Sequence, residues 1–192
     1  MIDDILDELQ LENQLKVEDI PDLELYMDQV IQLFERTFAS SKRNDDEKVL
    51  TKTMINNYAK GKLFFPIKNK KYSKEHILLI SMIYQLKGAL SIKDIKTTLE
   101  QLNGKIENKE IELEDLYQHF LRLSNNNIDR FTEDSKVCST EVKIEANQLN
   151  GVQTEYIEQL LLVSSFVQMS NLYRRAAERL VDEIANTNHS EE

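Results

Sequence analysis

The chain has 192 residues, which is enough for one compact domain with an extension or for two small domains. Its formal net charge is −10, 41% of its residues are hydrophobic, and its four glycines and two prolines favour a mostly helical protein. The single cysteine, Cys138, excludes an intramolecular disulfide and a multi-thiolate metal site within one chain. No stretch is apolar over the length of a bilayer and the N-terminus is acidic, unlike a signal peptide, so a cytoplasmic protein without a membrane segment is expected.

Residues 1–20 are predicted to form an acidic N-terminal arm. The first 28 residues hold ten acids and one lysine. Apolar residues recur at helical spacing at Ile2, Ile5, Leu6 and Leu9. This pattern predicts an amphipathic helix over residues 1–16. Two interpretations remain, and both can hold together: a solvated acidic helix packed on the domain, and an arm that covers a basic region further along and competes with nucleic acid.

Residues 21–104 are predicted to form a small helical domain. Pro21 and Asp22 are typical of a helix start, because proline fits the first turn and an acid there suits the positive end of the helix dipole. The buried face of this first helix is expected to contain Leu25, Val30, Ile31, Phe34 and Phe38. The wholly polar segment 40–47 follows as a predicted mobile loop.

Residues 48–74 are a basic segment within an acidic chain. They hold eight lysines and no acid, so the remaining residues sum to −18. A helix is predicted here over 51–60, with Thr51 as its N-cap and Gly61 as the left-handed residue that closes it. Its apolar face consists of Met54, Ile55 and Tyr58, and its polar face of Lys52, Thr53, Asn56, Asn57 and Lys60.

After this helix, residues 63–67 and 71–72 are predicted as two short strands joined by the turn 68–71, with Pro66 restricting its strand to a sheet edge. A helix over 74–87 is apolar on several sides, so it is expected to be buried centrally or shared with a partner. Its His76 is typical of a cap or a phosphate contact. Ser91 and Asp94 nearly form a capping box for the next helix, which Gly104 is predicted to end.

Several of these motifs resemble the MerR-type winged helix-turn-helix of bacterial regulators. They are Ile55-Asn56-Asn57-Tyr58, Gly61-Lys62-Leu63, Pro66, Lys70-Lys71-Tyr72-Ser73, Ile80, Ile83 and Ser91-Ile92-Lys93-Asp94-Ile95-Lys96. Taken with Pro21-Asp22, residues 25–30 and residues 50–58, they more closely resemble an uncharacterised bacterial family, the domain of unknown function 1836, over 21–102. The resemblance implies a mainly α fold with a MerR-like winged helix-turn-helix domain, followed by a long C-terminal helix or helical hairpin.

Residues 105–186 are predicted to form a helical dimerisation or effector region. A helix is indicated over 111–123, whereas 125–150 is weakly periodic and is predicted as a loop or loosely ordered helix. The helix predicted over 153–186 extends about 50 Å, which is too long for a small domain to cover. Its apolar stripe contains Tyr156, Leu160, Val163, Val167, Ser170, Tyr173, Ala177, Leu180 and Ile184. The tail 187–192 is predicted to be disordered.

Two interpretations of the long helix remain. MerR-type regulators dimerise through such a helix, so the resemblance implies a homodimer, and Leu161, Leu162 and Phe166 add a second apolar face. The residues expected at the dimer interface are Tyr156, Leu160, Val163, Val167, Tyr173 and Leu180. The alternative is an intrachain helical hairpin with 111–123.

The leading functional prediction is a DNA-binding transcription regulator that acts as a homodimer on double-stranded DNA, with recognition helix 51–60 and wing 63–72. Asparagine pairs with adenine in the major groove and lysines neutralise phosphates. The expected DNA-binding residues are Lys52, Thr53, Asn56, Asn57, Lys60, Lys62, Lys68, Lys70 and Lys71. The alternative is a helical protein–protein interaction module on a winged-helix scaffold without specific DNA binding, because a net charge of −10 repels phosphate.

Sequence motifs of enzymes are absent: there is no Walker A loop, GxGxxG, CxxC, HExxH or Ser-His-Asp order with supporting glycines. No catalytic residue, cofactor or metal site is therefore predicted. A small-molecule effector stays open for the C-terminal half. Its candidate pocket residues, which at such spacing more often belong to a core, are Tyr117, Phe120, Tyr156, Phe166 and Tyr173.

Overall fold

The computed structural model describes residues 1–149 and 154–188. The protein is mainly helical, with 72% helix and 3% strand, and it ends in a long helix, as the sequence predicts. None of the described elements has both the length and the apolar composition that a bilayer crossing requires. The elements in chain order are α1 (Ile2–Glu8), β1 (Leu25–Tyr26), α2 (Met27–Phe38), α3 (Lys52–Lys60), β2 (Lys71–Tyr72), α4 (Lys74–Leu86), α5 (Ile92–Glu107), α6 (Leu113–Asn147) and α7 (Thr154–Asn188).

The core is built around α4, which is buried on most of its circumference. Its fully buried side chains are Ile77, Leu78, Leu79, Ile80 and Ile83. Burial of each such side chain stabilises the fold by roughly 1.5–3 kcal/mol. The prediction of a centrally buried helix over 74–87 is therefore confirmed, with the observed bounds at Lys74–Leu86.

A buried pair of hydrogen bonds joins α4 to two distant parts of the chain. The Tyr117 hydroxyl on α6 donates to the carbonyl oxygen of Leu15 at 2.8 Å, and the Ser81 hydroxyl on α4 lies 2.7 Å from the Tyr117 oxygen, to which it donates. Burial raises the pKa of Tyr117 to about 12, against the opposing effect of the Ser81 hydrogen bond. The segment that follows α1 is thus fixed against both helices.

The sheet differs from the predicted ribbon. β1 pairs antiparallel with β2, with Leu25 opposite Tyr72 and Tyr26 opposite Lys71. The prediction of a strand over 63–67 is wrong. Leu63 and Phe64 are both buried, whereas consecutive residues of a strand point to opposite faces. The predicted helix start at Pro21-Asp22 is also wrong: β1 comes first, and α2 begins at Met27.

The N-terminal helix is shorter than the predicted 1–16. α1 ends at Glu8, and Gln10 follows in the left-handed region with a φ of 48°. Beyond this turn, the residues that enter the main core are Leu15, Val17 and Ile20. None of these three residues belongs to the apolar stripe of the predicted helix. Because α1 packs on α6, the turn at Gln10 redirects the chain from the surface of α6 into the core.

α6 is one continuous helix to Asn147, so of the two alternatives predicted over 125–150 the helix is observed over 125–147 and the loop is wrong there. The buried residues there are Ser135, Ser139, Val142 and Ala146. Their spacing is helical, but three of the four are small or polar and escape a search for hydrophobic periodicity. α5 likewise continues past Gly104, the predicted end, to Glu107, and Lys109 takes the left-handed position beyond it with a φ of 58°.

α7 packs within its own chain and uses different faces along its length. In its first half it lies on α6, where the rings of Phe131 and Phe166 are 6.2 Å apart between centroids and Cys138 Sγ donates to Ser165 Oγ at 3.1 Å. In its second half it packs on α5, and Val181 joins the main core. The intrachain interpretation therefore agrees with the packing of α7 on α6, but the contacts lie at Phe131 and Cys138, after the predicted partner segment 111–123.

The predictions at the two ends of this helix fall partly on undescribed residues. Thr187 and Asn188 belong to α7, so the predicted disordered tail 187–192 is wrong for these two residues. The side chain of Thr187 also contacts the preceding turn, where its Oγ1 donates to the Glu183 carbonyl at 3.0 Å. Residue 153 and residues 189–192 lie outside the described residues.

Candidate nucleic-acid interface

α3 presents one polar face to solvent. Its N-cap is Thr51, as predicted, with Oγ1 accepting from the Met54 N–H at 3.2 Å. Ile55 and Tyr58 are buried and anchor the helix to the core. The exposed residues of the opposite face are Lys52, Thr53, Asn56, Asn57 and Lys60. The five residues that the sequence places on the polar face of this helix therefore all reach solvent.

The end of α3 is closed by Lys62 and not by Gly61. Gly61 is right-handed with a φ of −71°, whereas Lys62 has a φ of 56°. The Leu63 N–H donates to the Tyr58 carbonyl at 3.0 Å and the Lys62 N–H donates to the Ala59 carbonyl at 3.1 Å, which is the Schellman pattern. The prediction that Gly61 is the left-handed residue at the end of α3 is therefore wrong. Glycine at this position instead permits close packing, because a Cβ there would lie 3.2 Å from Ile92 Cγ2.

The turn 68–71 carries the second group of predicted DNA-binding lysines. The Lys71 N–H donates to the Lys68 carbonyl at 2.9 Å, and the two central residues, Asn69 and Lys70, are both left-handed with φ of 51° and 59°. Two positive φ values in succession are characteristic of a type I′ turn, which prefers glycine at its second central position. Lys68 and Lys70 are exposed, and Lys71 is half-buried. We call residues 68–71 the lysine turn.

The start of α2 links α3 to the lysine turn. Lys52 Nζ on α3 lies 2.8 Å from Asp28 Oδ1, in the first turn of α2. Two residues earlier, Tyr26 pairs with Lys71 across the sheet, and Lys71 Nζ lies 5.5 Å from the centroid of the Tyr26 ring. Tyr26 is 55% exposed, so it adds an accessible aromatic ring beside the turn. The sequence pattern missed this residue because it falls within the helix predicted from Pro21.

Charges around the basic segment are only partly neutralised. Lys74 pairs with Asp22 at 3.3 Å and with Glu114 at 3.1 Å. Although burial acts to lower it, hydrogen bonds to Glu114 and Asp22 raise the pKa of Lys74 above its ordinary value. The lysines of residues 48–74 that form no ion pair with the described residues are Lys48, Lys60, Lys62, Lys68, Lys70 and Lys71. The surface of α3 and the lysine turn therefore keeps a positive local charge.

His76 holds the segment between α3 and the lysine turn. Its Nδ1 accepts from the Ser73 N–H at 3.2 Å, so Nε2 carries the proton that it donates to the Phe65 carbonyl at 3.1 Å. The imidazole is buried against the rings of Phe64 and Tyr72. It acts as an N-terminal cap of α4, in agreement with one of the two predicted roles, and its burial leaves it away from any phosphate.

The acidic arm does not lie over the basic segment. α1 packs on α6, where Asp3 Oδ1 lies 3.5 Å from Lys136 Nζ. The acids that pair with the basic segment from the N-terminal side are Asp22 and Asp28, which follow the arm. Of the two interpretations of residues 1–16, the packed helix agrees with these contacts, and the covering arm does not.

The six residues predicted for dimerisation are exposed but do not share one face. They are between 46% and 68% exposed in the isolated chain. Tyr156, Leu160, Val163 and Val167 lie on one side of α7, whereas Tyr173 and Leu180 lie roughly 120° around the axis from them at 3.6 residues per turn. From Val167 to Ser170 and from Ser170 to Tyr173 the apolar stripe advances by three residues, and each such step turns it around the helix axis. We call the first four residues the α7 apolar face.

The described residues contain no group of three or more His, Cys, Asp or Glu side chains arranged to hold a metal ion. The candidate site consists instead of exposed amides, lysines and one aromatic ring on a rigid support. Such a surface binds a ligand through hydrogen bonds and charge.

Comparison with known proteins gives a family match. The model of a family described as "Domain of unknown function (DUF1836)" matches residues 15–120, which is more than half of the chain. The matched range extends from Leu15 in the core to the first turns of α6 and includes α3, the lysine turn and His76. No curated protein and no solved structure matches the chain.

Proposed function

The chain belongs to the DUF1836 family, and we propose that it is a transcription regulator that binds double-stranded DNA as a homodimer in the bacterial cytoplasm. In this proposal α2 and α3 form the helix-turn-helix of a MerR-like winged domain. α3 is the recognition helix, and the lysine turn is the tip of the wing.

The observation that carries the proposal is the exposed polar face of α3. Asn56 and Asn57 present amides that can each accept and donate, which is the requirement for a bidentate pair with adenine in the major groove. Lys52 and Lys60 stand at the two ends of the same face, in position to neutralise phosphates on either side. The buried anchors of α3 support this face, so its geometry is set before DNA arrives.

The backbone around the lysine turn supports the proposal. Lys62 and Lys70 both occupy left-handed conformations, where a non-glycine residue costs on the order of 1 kcal/mol or more. Glycine would relieve that strain, yet both positions carry an exposed positive charge. These exposed lysines lie in one cluster, and phosphate is the ligand that suits a lysine cluster.

The homodimer part of the proposal depends on the α7 apolar face. One winged domain contacts a single half-site, which gives too little affinity against the many competing sites of a genome. A two-fold dimer places two recognition helices on one side of the duplex. Leu160, Val163 and Val167 remain exposed although α7 packs on α5 and α6, so the intrachain packing leaves this face available to a second copy.

The alternative function is a protein–protein interaction module that keeps the winged scaffold without specific DNA binding. The formal charge of −10 favours it, because the whole chain repels phosphate at long range. The two functions differ in their ligand: the module binds an acidic protein surface with no preference for a DNA sequence.

The salt dependence of DNA binding tests the proposal. Binding to duplex fragments selected from the genome is measured by fluorescence anisotropy at several salt concentrations, for the wild type and for Lys68→Ala with Lys70→Ala. We expect affinity to fall steeply with salt, because each neutralised phosphate releases counterions, and the slope to decrease by about 1 for each phosphate that the variant no longer neutralises. An unchanged slope would exclude the lysine turn as a wing, and the absence of any binding would favour the interaction module.

A further inference from the structure

Three neighbouring side chains on the exposed face of α3 carry hydrogen-bonding groups that the fold does not use. Thr53 stands three residues before Asn56 and four residues before Asn57, so the three side chains lie next to one another on adjacent turns. None of them forms a side-chain hydrogen bond with a residue of 1–149 or 154–188. Their polar groups are therefore all open to a ligand that approaches the helix.

The hydroxyl of Thr53 is free for a local reason. A threonine inside a helix commonly donates to the carbonyl four residues before it, as Thr98 does to Asp94 at 2.8 Å. Thr53 is the second residue of α3, so the residue four positions before it, Val49, precedes the helix. The exposed Thr53 therefore offers both a hydroxyl and a methyl group to a partner outside the chain.

The middle of this face lacks the side chains that read G·C base pairs. Arginine and lysine are the usual partners of guanine, and Asp or Glu accepts from the amino group of cytosine. α3 contains neither arginine nor a carboxylate. Its two exposed lysines stand at the ends of the face, where Lys52 pairs with Asp28 at 2.8 Å and Lys60 lies in the last turn.

An A·T base pair presents groups in the major groove that match the three central side chains. Adenine offers one acceptor and one donor, and an asparagine amide satisfies both together. Thymine then offers the O4 acceptor and the C5 methyl group. A threonine carries a hydroxyl donor and a methyl group on one carbon, so Thr53 matches both groups of thymine.

We propose that the middle of α3 reads adjacent A·T base pairs, with Thr53 as a specificity-determining residue that contacts thymine beside the adenines bound by Asn56 and Asn57. This proposal rests on the proposed DNA-binding function and assigns the bases that the recognition helix reads. The position of Thr53 in the first turn of α3 agrees with it, because the N-terminal residues of a recognition helix contact base edges.

The test begins with selection of duplexes from a random library by the full wild-type chain. We expect the selected half-site to contain adjacent A·T base pairs at its centre. The selected duplex is then made with uracil in place of one thymine at a time, which removes the C5 methyl group and keeps the base pair. At the thymine that Thr53 contacts, fluorescence anisotropy should show about fourfold weaker binding, as expected for the loss of one buried methyl group.

Two variants separate the methyl group of Thr53 from its hydroxyl. Thr53→Ser removes the methyl group, so it should bind the thymine and uracil duplexes equally. Thr53→Val removes the hydroxyl, so it should bind both duplexes more weakly than the wild type and still prefer thymine about fourfold. Thr140→Ser is the matched control, because Thr140 is exposed on α6, and it should discriminate as the wild type does. Melting temperatures report the fold of each variant.

A selected half-site with G·C base pairs at its centre would overturn the proposal. An undiminished preference for thymine in a folded Thr53→Ser protein would do the same, and so would equal wild-type binding of every uracil duplex. Each of these results still includes binding to a selected duplex, so the proposed regulatory function would stand. Absence of binding to any duplex would overturn both.

Discussion

Nε2 of His76 lies 3.1 Å from the carbonyl oxygen of Phe65, so the first turn of α4 holds the segment that leads into the lysine turn. The contact crosses 11 residues of sequence, and its donor is buried at the edge of the core. The position of the segment before the lysine turn therefore depends in part on one buried hydrogen bond, which the neutral imidazole donates.

The stability of the protein is predicted to fall in mildly acidic solution because of this residue. Burial lowers the pKa of His76 from its ordinary value of 6.5, against smaller opposing effects of the Phe65 backbone and Glu75. The unfolded chain therefore takes up the proton first, so stability that is complete above pH 6.5 is lost as the pH falls towards the lower folded value. Urea denaturation between about pH 7.5 and pH 5.5 should show a smaller loss of unfolding free energy in His76→Gln than in the wild type.

Exposed His119 provides the control for this prediction. His119→Gln should lose stability with falling pH as the wild type does, because its ring is exposed and packs in no core. If His76→Gln and His119→Gln both follow the wild-type curve, His76 does not control the pH dependence.

Replacing either left-handed lysine with glycine should raise the stability of the fold and lower its affinity for DNA. Lys62→Gly and Lys70→Gly remove backbone strain and are each expected to stabilise the fold by about 1 kcal/mol. Each also removes a charge, so DNA affinity should fall. The alanine variants keep the strain, and they should weaken DNA binding without any gain in stability. Thermal denaturation and anisotropy on the same samples give both quantities, and a glycine variant that binds as tightly as the wild type would contradict the role of its lysine.

Much of the fold follows from periodicity, and the differences have local causes. The polar face of α3 was predictable because its apolar residues repeat at helical spacing. The burial of α4 was predictable because apolar residues cover several of its sides. The continuous α6 was not, because its buried face there is made largely of Ser135, Ser139 and Ala146, which carry little hydrophobic signal. The contact of Asn103 with the Leu63 carbonyl was not predictable either, because it joins two segments 40 residues apart in sequence.

The ion pair between Lys52 and Asp28 is predicted to lower the affinity of the protein for DNA. Both side chains are about two-thirds exposed, so the pair contributes little to stability. Asp28→Asn would free Lys52 and remove one negative charge beside α3, and it should raise DNA affinity at low salt several-fold without changing the melting temperature measurably. Asp3→Asn changes the same charge on α1, which packs on α6, and should have a smaller effect. Equal gains in the two variants would mean that only net charge matters.

The assembly prediction concerns the α7 apolar face. Val163→Glu with Val167→Glu would place unpaired carboxylates in the proposed interface and should yield monomers by light scattering at micromolar concentration. Because both side chains are more than half exposed within the chain, the monomer should keep its fold, which circular dichroism reports. Arg179→Glu, which introduces the same change of charge on an exposed side of the helix roughly 130° around the axis from the α7 apolar face, is the charge control. A wild type that already runs at about its chain mass of 22.5 kDa would contradict the homodimer.

The most direct test of the account is whether α3 reads base sequence. Binding of Asn56→Ala and Asn57→Ala is compared with that of the wild type on a selected duplex and on random duplex of equal length. Each variant should lose about 1–3 kcal/mol of binding free energy on the selected duplex and almost none on random DNA, because the bidentate amide–adenine pair disappears while the phosphate contacts remain. Equal losses on the two duplexes, or no loss on either, would contradict the assignment of α3 as the recognition helix.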